Sequence, residues 1–166
     1  KALIASEDKD FYKHGGFSPL SILRALVTRT GGGSTLTQQL VKNTLLSDER
    51  SYFRKYQELF MAIAVEQNYS KDQILAMYLN SVYFGENAFG VEEAAKVYFN
   101  TTPDKLDVAQ SAMLVGLLPA PTAYSPISGN KNYAKERQNT VLSRMVKNGF
   151  ITEDQKNAAA AQELAY

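Results

Sequence analysis

Four places in this sequence carry the same helix-start signature, a Ser, Thr or Asp followed three residues later by Gln. The pairs are Thr35 and Gln38, Ser70 and Gln73, Asp107 and Gln110, and Thr152 and Gln155. In such a capping box each side chain bonds the backbone N–H of the other residue, so two otherwise unpaired N–H groups are satisfied. Apolar residues then recur at helical spacing, without sustained alternation of apolar and polar residues. We therefore expect an all-α fold of roughly eight to ten helices.

Three further residues mark helix ends. Ser18 followed by Pro19 is typical of a helix start, because Pro suits the first helical position. Ser47 precedes two acidic residues and predicts a long helix of about 20 residues after it. Gly149 follows an apolar-periodic stretch and suits a C-terminal cap. The segments 31–33, 84–90 and 119–130 are expected to be loops.

The composition fits one domain over residues 1–166, since 45% apolar and 21% charged residues are ordinary values for a soluble fold. The 18 basic residues are spread along the chain and the net charge is +1, so no nucleic-acid partner is expected. A single His and no Cys disfavour a zinc site. No apolar run reaches the ~18 residues of a membrane span. The opening KALIASEDKDF has no initiator Met, which favours a domain excised from a longer chain.

The segment GGGSTLTQQLVKN joins three glycines to a helix start and a following lysine, Lys42. Free backbone N–H groups and the helix dipole make such a turn suitable for an anion. A nucleotide P-loop would need Lys directly after the last Gly and a strand before the glycines. Neither is present, so a nucleotide site is disfavoured. The alternative is a hinge followed by a solvated helix face.

Acidic and basic residues are grouped in two other segments. Glu7 and Asp8 are adjacent, so on a helix they would point about 100° apart and would not form a shared carboxylate pair. Arg54 and Lys55 lie four and three residues before Glu58 on one helix face. Either group could be an ordinary charged surface, where an ion pair contributes only ~0–1 kcal/mol. Together with the helix start suited to bind an anion, these acidic and basic residues suit a reaction that displaces a phosphate leaving group from a sugar carbon.

Five segments resemble, in family order, the motifs of the peptidoglycan glycosyltransferases. They are SEDKDFYKHGG, GGSTLTQQLVKN, RKYQE, ILAMYLNSVYFG with GVEEAAKVYF, and AMLVGLLPAPTAYSP. This resemblance covers nearly the whole chain. It implies an all-α, lysozyme-like globular lobe with a small membrane-facing lobe. The implied reaction polymerises lipid II into β-1,4 glycan strands and releases undecaprenyl diphosphate.

The resemblance also implies roles for individual residues. Glu7 would be the general base, and Glu58 would be the second essential acid, helping to stabilise the diphosphate with a divalent cation, Mg²⁺ or Mn²⁺, as an option. No organic cofactor is expected. The diphosphate would be held by Lys42, Arg54 and Lys55. The remaining substrate-binding positions would be Asp8, Phe11, His14, Ser34, Thr35, Gln38, Gln39, Asn43, Asn80 and Tyr83.

The family resemblance places the enzyme on the extracytoplasmic face of the bacterial membrane, anchored by an N-terminal segment outside this sequence. A transpeptidase domain in the parent chain and a membrane surface are the expected partners, with Phe17 to Leu23 as a lipid-facing patch. The sequence departs from the family in one place. Members of the family usually have a longer, basic and glycine-rich loop before GGSTLTQQ, whereas here only Thr30 and Gly31 stand at that position. An α-linked donor giving a β-linked product requires inversion. Glu7 and Glu58 should therefore face each other across one cleft, further apart than the ~5 Å of retaining carboxyl pairs.

Two other functions remain open from the sequence. A lysozyme-like enzyme that cleaves glycan would share the fold and need an acid, but it would have little use for the cations Lys42, Arg54 and Lys55. A non-catalytic helical binding module would give no role to Glu7.

Overall fold

The computed structural model of the protein describes residues 1–28, 33–46 and 52–166, the side chains of residues 24–28 and 52 excepted. Within these ranges the structure contains ten α-helices and one 3₁₀ helix, and no strand beyond an isolated bridge. The helices are α1 (Ala2–Glu7), α2 (Pro19–Thr28), α3 (Leu36–Leu45), α4 (Tyr52–Asn68), α5 (Lys71–Ser81), α6 (Val91–Phe99), α7 (Val108–Leu117), α8 (Pro121–Tyr124), α9 (Lys131–Lys147) and α10 (Glu153–Ala161). The 3₁₀ helix is Pro103–Lys105. The predicted all-α class is confirmed for the described part of the chain.

The capping boxes form as predicted. At α3 the Thr35 hydroxyl accepts from the Gln38 N–H at 3.2 Å, and Gln38 Oε1 accepts from the Thr35 N–H at 2.8 Å. The same reciprocal bonds open α5, α7 and α10. Pro19 begins α2, and Gly149 follows α9 with a positive φ of 73°. The helix start predicted at Ser47 lies outside the described residues.

The chain divides into two compact units. The first comprises Lys1–Lys9 and Asn80–Tyr166, and the second comprises Asp10–Leu79. In the first unit α7 packs against α9, and α1 packs against both. Residues 112–117 of α7 are all buried, which explains their continuous apolar character. In the second unit α3 packs against α4.

The segment predicted as a loop at 84–90 is a tight hairpin turn. Tyr83 and Phe89 form an antiparallel bridge, and Gly85 O accepts from the Ala88 N–H at 2.8 Å. Glu86 and Asn87, the two residues at the turn, have φ of 50° and 58°. Positive φ at both central positions is the type I′ geometry that matches the twist of a hairpin.

Candidate active site

Glu7 is the last residue of α1 and is partly exposed. The four residues before Ser6, Ala2 to Ala5, are buried, so the apolar side of α1 fixes the helix in the first unit. Ser6 Oγ donates to Glu7 Oε1 at 3.2 Å. Arg144 of α9 donates through Nη1 to both Ser6 O and Ser6 Oγ at 3.0 Å. The carboxylate of Glu7 is thus linked through Ser6 to a cation on another helix.

Asp8 follows Glu7 but has a different environment. It is the C-terminal cap of α1, it is 9% exposed, and its N–H donates to Ile4 O at 3.1 Å. The helix ends at this residue, because its φ of −158° and ψ of 77° are not helical. Of the two neighbouring acids, Glu7 is therefore the more accessible to a substrate.

Asn80 and Tyr83 also belong to the first unit. Asn80 is exposed near the end of α5. Tyr83 lies on the hairpin, with its ring centroid 4.7 Å from that of Phe89, a side chain that is 63% exposed. The hairpin therefore presents an aromatic pair at the surface of this unit.

Phe11 and His14 lie in the second unit, in a cluster that also contains Glu66 and Lys71. Lys71 Nζ donates to Glu66 Oε1 at 2.7 Å and to His14 O at 2.6 Å, and it lies 4.5 Å from the centroid of the buried Phe11 ring. Thr37 of α3 also donates to Glu66 Oε1, at 2.6 Å. The cluster fastens the segment around His14 to α3, α4 and α5.

The orientation of the His14 ring follows from its neighbours. The Gly16 N–H donates to Nδ1 at 3.2 Å, and the Lys71 ammonium lies 3.5 Å from the same atom. Both groups are donors, so Nδ1 acts as the acceptor and the ring proton is assigned to Nε2. Glu66 Oε1 lies 3.8 Å from the same Nδ1 atom.

Lys55 connects two of the predicted residues in the second unit. Its Nζ donates to Glu58 Oε1 at 2.6 Å and to Ser34 Oγ at 2.9 Å. The Glu58 side chain is only 5% exposed, whereas that of Lys55 is 49% exposed. A buried carboxylate thus holds a half-exposed ammonium beside the residue that precedes the α3 cap.

Thr35, Gln38 and Gln39 are structural elements of the same helix start. Thr35 also donates to Gly16 O at 2.7 Å, and Tyr78 donates to Gln39 Oε1 at 3.1 Å. Gln38 is fully buried, and its Nε2 has no hydrogen-bond partner among the described residues. A buried N–H donor without a partner costs free energy, so this amide is suited to bind an oxygen atom brought by a ligand.

The other predicted cations are nearer to solvent. Lys42 lies in the last turn of α3 and is exposed, as is Asn43. Arg54 is partly exposed on α4. These positions leave the charged groups of Lys42 and Arg54 accessible to a large anionic substrate.

Ser6, Arg144, Glu66 and Lys71 were not selected from the sequence. Ser6 and Arg144 are 138 positions apart, and His14 and Lys71 are 57 apart. No periodic pattern links residues at such separations. The nearest local signal was the position of Ser6 directly before Glu7.

The described residues include no group of three or more His, Cys, Asp or Glu side chains that could hold a metal ion. Mg²⁺, however, is often bound by one or two carboxylates together with substrate phosphates. Glu58 could supply a carboxylate for that mode of binding. No helix of the described part of the chain has the length and apolar character needed to cross a membrane.

Comparison with known proteins identifies one family. The model of the Transglycosylase family matches residues 1–146. Penicillin-binding protein 1A/1B of Bacillus subtilis is 48% identical over 96% of this chain and 18% of its own length. Penicillin-binding protein 1A of Neisseria flavescens is 44% identical over 99% of the chain and 21% of its own length. The chain thus spans about a fifth of the length of these curated relatives.

A crystal structure of penicillin-binding protein 1A from Haemophilus influenzae has a similar fold. The TM-score is 0.55 at 26% identity, over 78% of this chain and 16% of that one. This similarity confirms the all-α, lysozyme-like fold class expected from the sequence.

Proposed function

Because the chain belongs to the transglycosylase family, we propose that it is a peptidoglycan glycosyltransferase that polymerises lipid II into β-1,4-linked glycan strands. The leaving group is undecaprenyl diphosphate. The observation that carries the proposal is the family match over residues 1–146. The arrangement of Ser34, Lys55 and Glu58 supports it, because it sets a cation at a helix start that suits a phosphate group.

Glu7 is the proposed general base. It takes the proton from the 4-hydroxyl of the acceptor GlcNAc while that oxygen attacks the anomeric carbon of the donor MurNAc. The bond from this carbon to the diphosphate oxygen breaks, and its electron pair leaves with the diphosphate. A well-placed general base typically contributes ~10²–10⁴-fold to the rate. Support comes from the partial exposure of Glu7 and from the Ser6 hydroxyl that donates to one of its oxygens.

Lys42, Arg54 and Lys55 are the proposed ligands of the diphosphate. Cations fixed where negative charge develops stabilise the transition state more than the ground state. Glu58 supports this role, since it holds the Lys55 ammonium at 2.6 Å. A divalent cation, when bound to Glu58 and the diphosphate oxygens, would supply further charge neutralisation of the leaving group.

The sugars are proposed to contact Ser34, Gln38, Asn80 and Tyr83. The Nε2 of Gln38, which has no hydrogen-bond partner in the described part of the chain, supports a donor role toward a sugar or phosphate oxygen. Asp8, Phe11 and His14 shape the first motif, and Thr35, Gln39 and Asn43 complete the substrate-binding set. Glu7 and Glu58 belong to different units. Their separation, expected to exceed the ~5 Å of retaining pairs, stays a prediction.

The proposed location is the extracytoplasmic face of the bacterial membrane, where a lipid-linked substrate resides. Leu20 and Leu23 support a membrane-facing surface, since they are 78% and 58% exposed at the start of α2. A transpeptidase domain in the parent chain and an N-terminal anchor are part of the same proposal.

The test uses the protein at its full natural length, incubated separately with purified lipid II and with finished glycan strands. We expect polymer from lipid II and no cleavage of the strands. Glu7→Gln should abolish polymerisation while the far-ultraviolet circular dichroism and melting temperature stay unchanged. Cleavage without polymerisation would instead identify a lysozyme-like hydrolase. Full polymerisation by Glu7→Gln would rule out the proposed base.

A further inference from the structure

The geometry points to Arg144 and Ser6 as positioning residues for Glu7, acting together to fix the orientation of its carboxylate. The inference rests on the proposed role of Glu7 as general base. It concerns contacts within the first unit, because Ser6, Glu7 and Arg144 all belong to it.

The hydrogen bonds form a chain with one direction. Arg144 has only N–H donors, so its Nη1 donates to Ser6 Oγ at 3.0 Å. A hydroxyl has one proton, and the Ser6 proton is directed at Glu7 Oε1, 3.2 Å away. The guanidinium therefore polarises the hydroxyl that donates to the carboxylate, and it acts on Glu7 through Ser6.

A second contact explains why a cation is needed here. Glu7 ends α1, and the C-terminal end of a helix carries unpaired carbonyls and a partial negative charge. A carboxylate at that end is electrostatically disfavoured. Arg144 offsets this effect by donating to Ser6 O, one of the last carbonyls, at 3.0 Å. A longer contact of 3.5 Å joins Asn148 Nδ2 to Ala5 O, so the end of α9 clamps the end of α1.

The contacts of Arg144 and Asn148 with the end of α1, together called the clamp, also determine the orientation of the Glu7 carboxylate. The terminal torsion of a glutamate is broad, so an unrestrained carboxylate samples many orientations. The Ser6 hydroxyl donates a hydrogen bond to Oε1 of Glu7. Oε2 is therefore the oxygen that takes the proton. A general base must lie within about 2.6–3.2 Å of the proton-bearing oxygen. Loss of the clamp should therefore reduce turnover more than substrate binding.

Arg137 provides a matched control on the same helix. It is partly buried like Arg144, its Nε donates to Gly116 O at 3.3 Å, and its guanidinium carbon lies 5.7 Å from the Tyr124 ring centroid. Its contacts are thus with α7 and α8 rather than with α1. Substitution of Arg137 tests what the loss of a packed arginine from α9 does by itself.

The experiment measures kcat and KM for lipid II polymerisation by the full-length protein and its variants. The single variants are Arg144→Ala, Arg144→Lys, Ser6→Ala and Arg137→Ala. We expect Arg144→Ala to lower kcat by about 10–100-fold, less than the loss of the base itself, with KM nearly unchanged. Ser6→Ala should lower kcat by a smaller factor. Arg144→Lys should recover part of the loss, because it keeps one charged donor.

A double variant separates positioning from folding. If Arg144 acts through the Ser6 hydroxyl, Arg144→Ala will cost a smaller factor in kcat on the Ser6→Ala background than in the unsubstituted protein. Arg137→Ala should leave kcat unchanged at a temperature where all variants are folded by circular dichroism. Ser6→Ala provides the test even if Arg144→Ala fails to fold.

Two results would overturn the positioning role while leaving the proposed function intact. One is full kcat in folded Ser6→Ala and Arg144→Ala. The other is a kcat loss in Arg137→Ala equal to that in Arg144→Ala. If the unsubstituted protein did not polymerise lipid II, the proposed function itself would fail, and the inference that rests on it would fail as well.

Discussion

Lys71 Nζ lies 2.7 Å from Oε1 of Glu66, whose side chain is only 8% exposed. The pair joins the start of α5 to the end of α4, and Lys71 also donates to the backbone oxygen of His14. A buried ion pair of this kind gains little net stability, but removing one partner leaves an uncompensated charge. Together with the bond to His14 O, the pair therefore fastens the segment around His14 to α4 and α5.

We expect Lys71→Met to destabilise the protein by about 3–5 kcal/mol, because Glu66 loses its counter-ion while buried. The free energy of unfolding should be measured by urea titration. Lys156→Met is the control, since the Lys156–Glu153 pair has a similar distance, 2.9 Å, but a carboxylate that is 60% exposed. It should cost only ~0–1 kcal/mol. Equal losses in the two variants would contradict the interpretation of Lys71.

How far the sequence predicted the structure depended on the range of each interaction. The capping box of Thr35 and Gln38 involves residues three apart, so local residue types were sufficient to locate the start of α3. The grouping of Lys55 with Glu58 was also predicted, because helical spacing places them on one face. The bond from Lys55 to Ser34 spans 21 positions, and no helical or strand period relates residues at that distance.

The hairpin at 84–90 shows that long-range contacts also determine backbone conformation that local sequence does not predict. Type I′ turns usually carry Asn or Asp followed by Gly, because both central residues have positive φ. Here Glu86 occupies the first central position with φ 50°, although positive φ is uncommon for residues other than Gly, Asn and Asp. Its carboxylate is held by the hydroxyls of Ser125 and Ser128, 39 and 42 positions away. The turn is thus stabilised by tertiary contacts, which local turn statistics do not contain.

Lys55→Met should reduce polymerisation even under conditions where the variant is folded, although it also lowers stability by leaving the buried Glu58 carboxylate without its counter-ion. The variant removes the half-exposed ammonium that Glu58 holds, and loss of one group that stabilises developing charge costs about 10²–10³-fold in kcat. Initial rates of lipid II polymerisation provide the measurement. Lys13→Met is the control, because Lys13 is 80% exposed and its pairing with Asp10 is longer, at 3.5 Å. Unchanged kcat in folded Lys55→Met would remove Lys55 from the proposed diphosphate site.

Gly90→Ala should destabilise the first unit more than Gly149→Ala. Both glycines have positive φ, 85° and 73°, but Gly90 also has a ψ of 157°, which places its backbone in a region that is essentially restricted to glycine. A Cβ at Gly90 would also lie 2.6 Å from Asn80 O, whereas a Cβ at Gly149 would meet nothing within 4 Å. The difference between the two melting temperatures therefore measures the backbone strain and the steric contact at Gly90 together. Equal melting temperatures would contradict both arguments.

Glu86 should give the protein a stability contribution that disappears in acid. Hydrogen bonds from the Ser125 hydroxyl, and then from the Ser128 hydroxyl, hold the pKa of the Glu86 carboxyl below its ordinary value. A depressed folded-state pKa means that the unfolded chain binds the proton more readily. The contribution is therefore complete above the ordinary pKa, about 4.3, and is lost as the pH falls from there through the lowered value.

Melting temperatures of the unsubstituted protein and of Glu86→Gln, measured from pH 7 down to pH 3, test this contribution. Glu86→Gln keeps the size of the side chain but removes the charge that the two serine hydroxyls stabilise. We expect the variant to melt lower at pH 7 and the gap to narrow progressively below the ordinary glutamate pKa. Glu153→Gln, which removes an exposed carboxylate paired with Lys156, controls for the change in net charge. A gap that stays constant down to pH 3 would mean that the hairpin does not depend on the ionised form of Glu86.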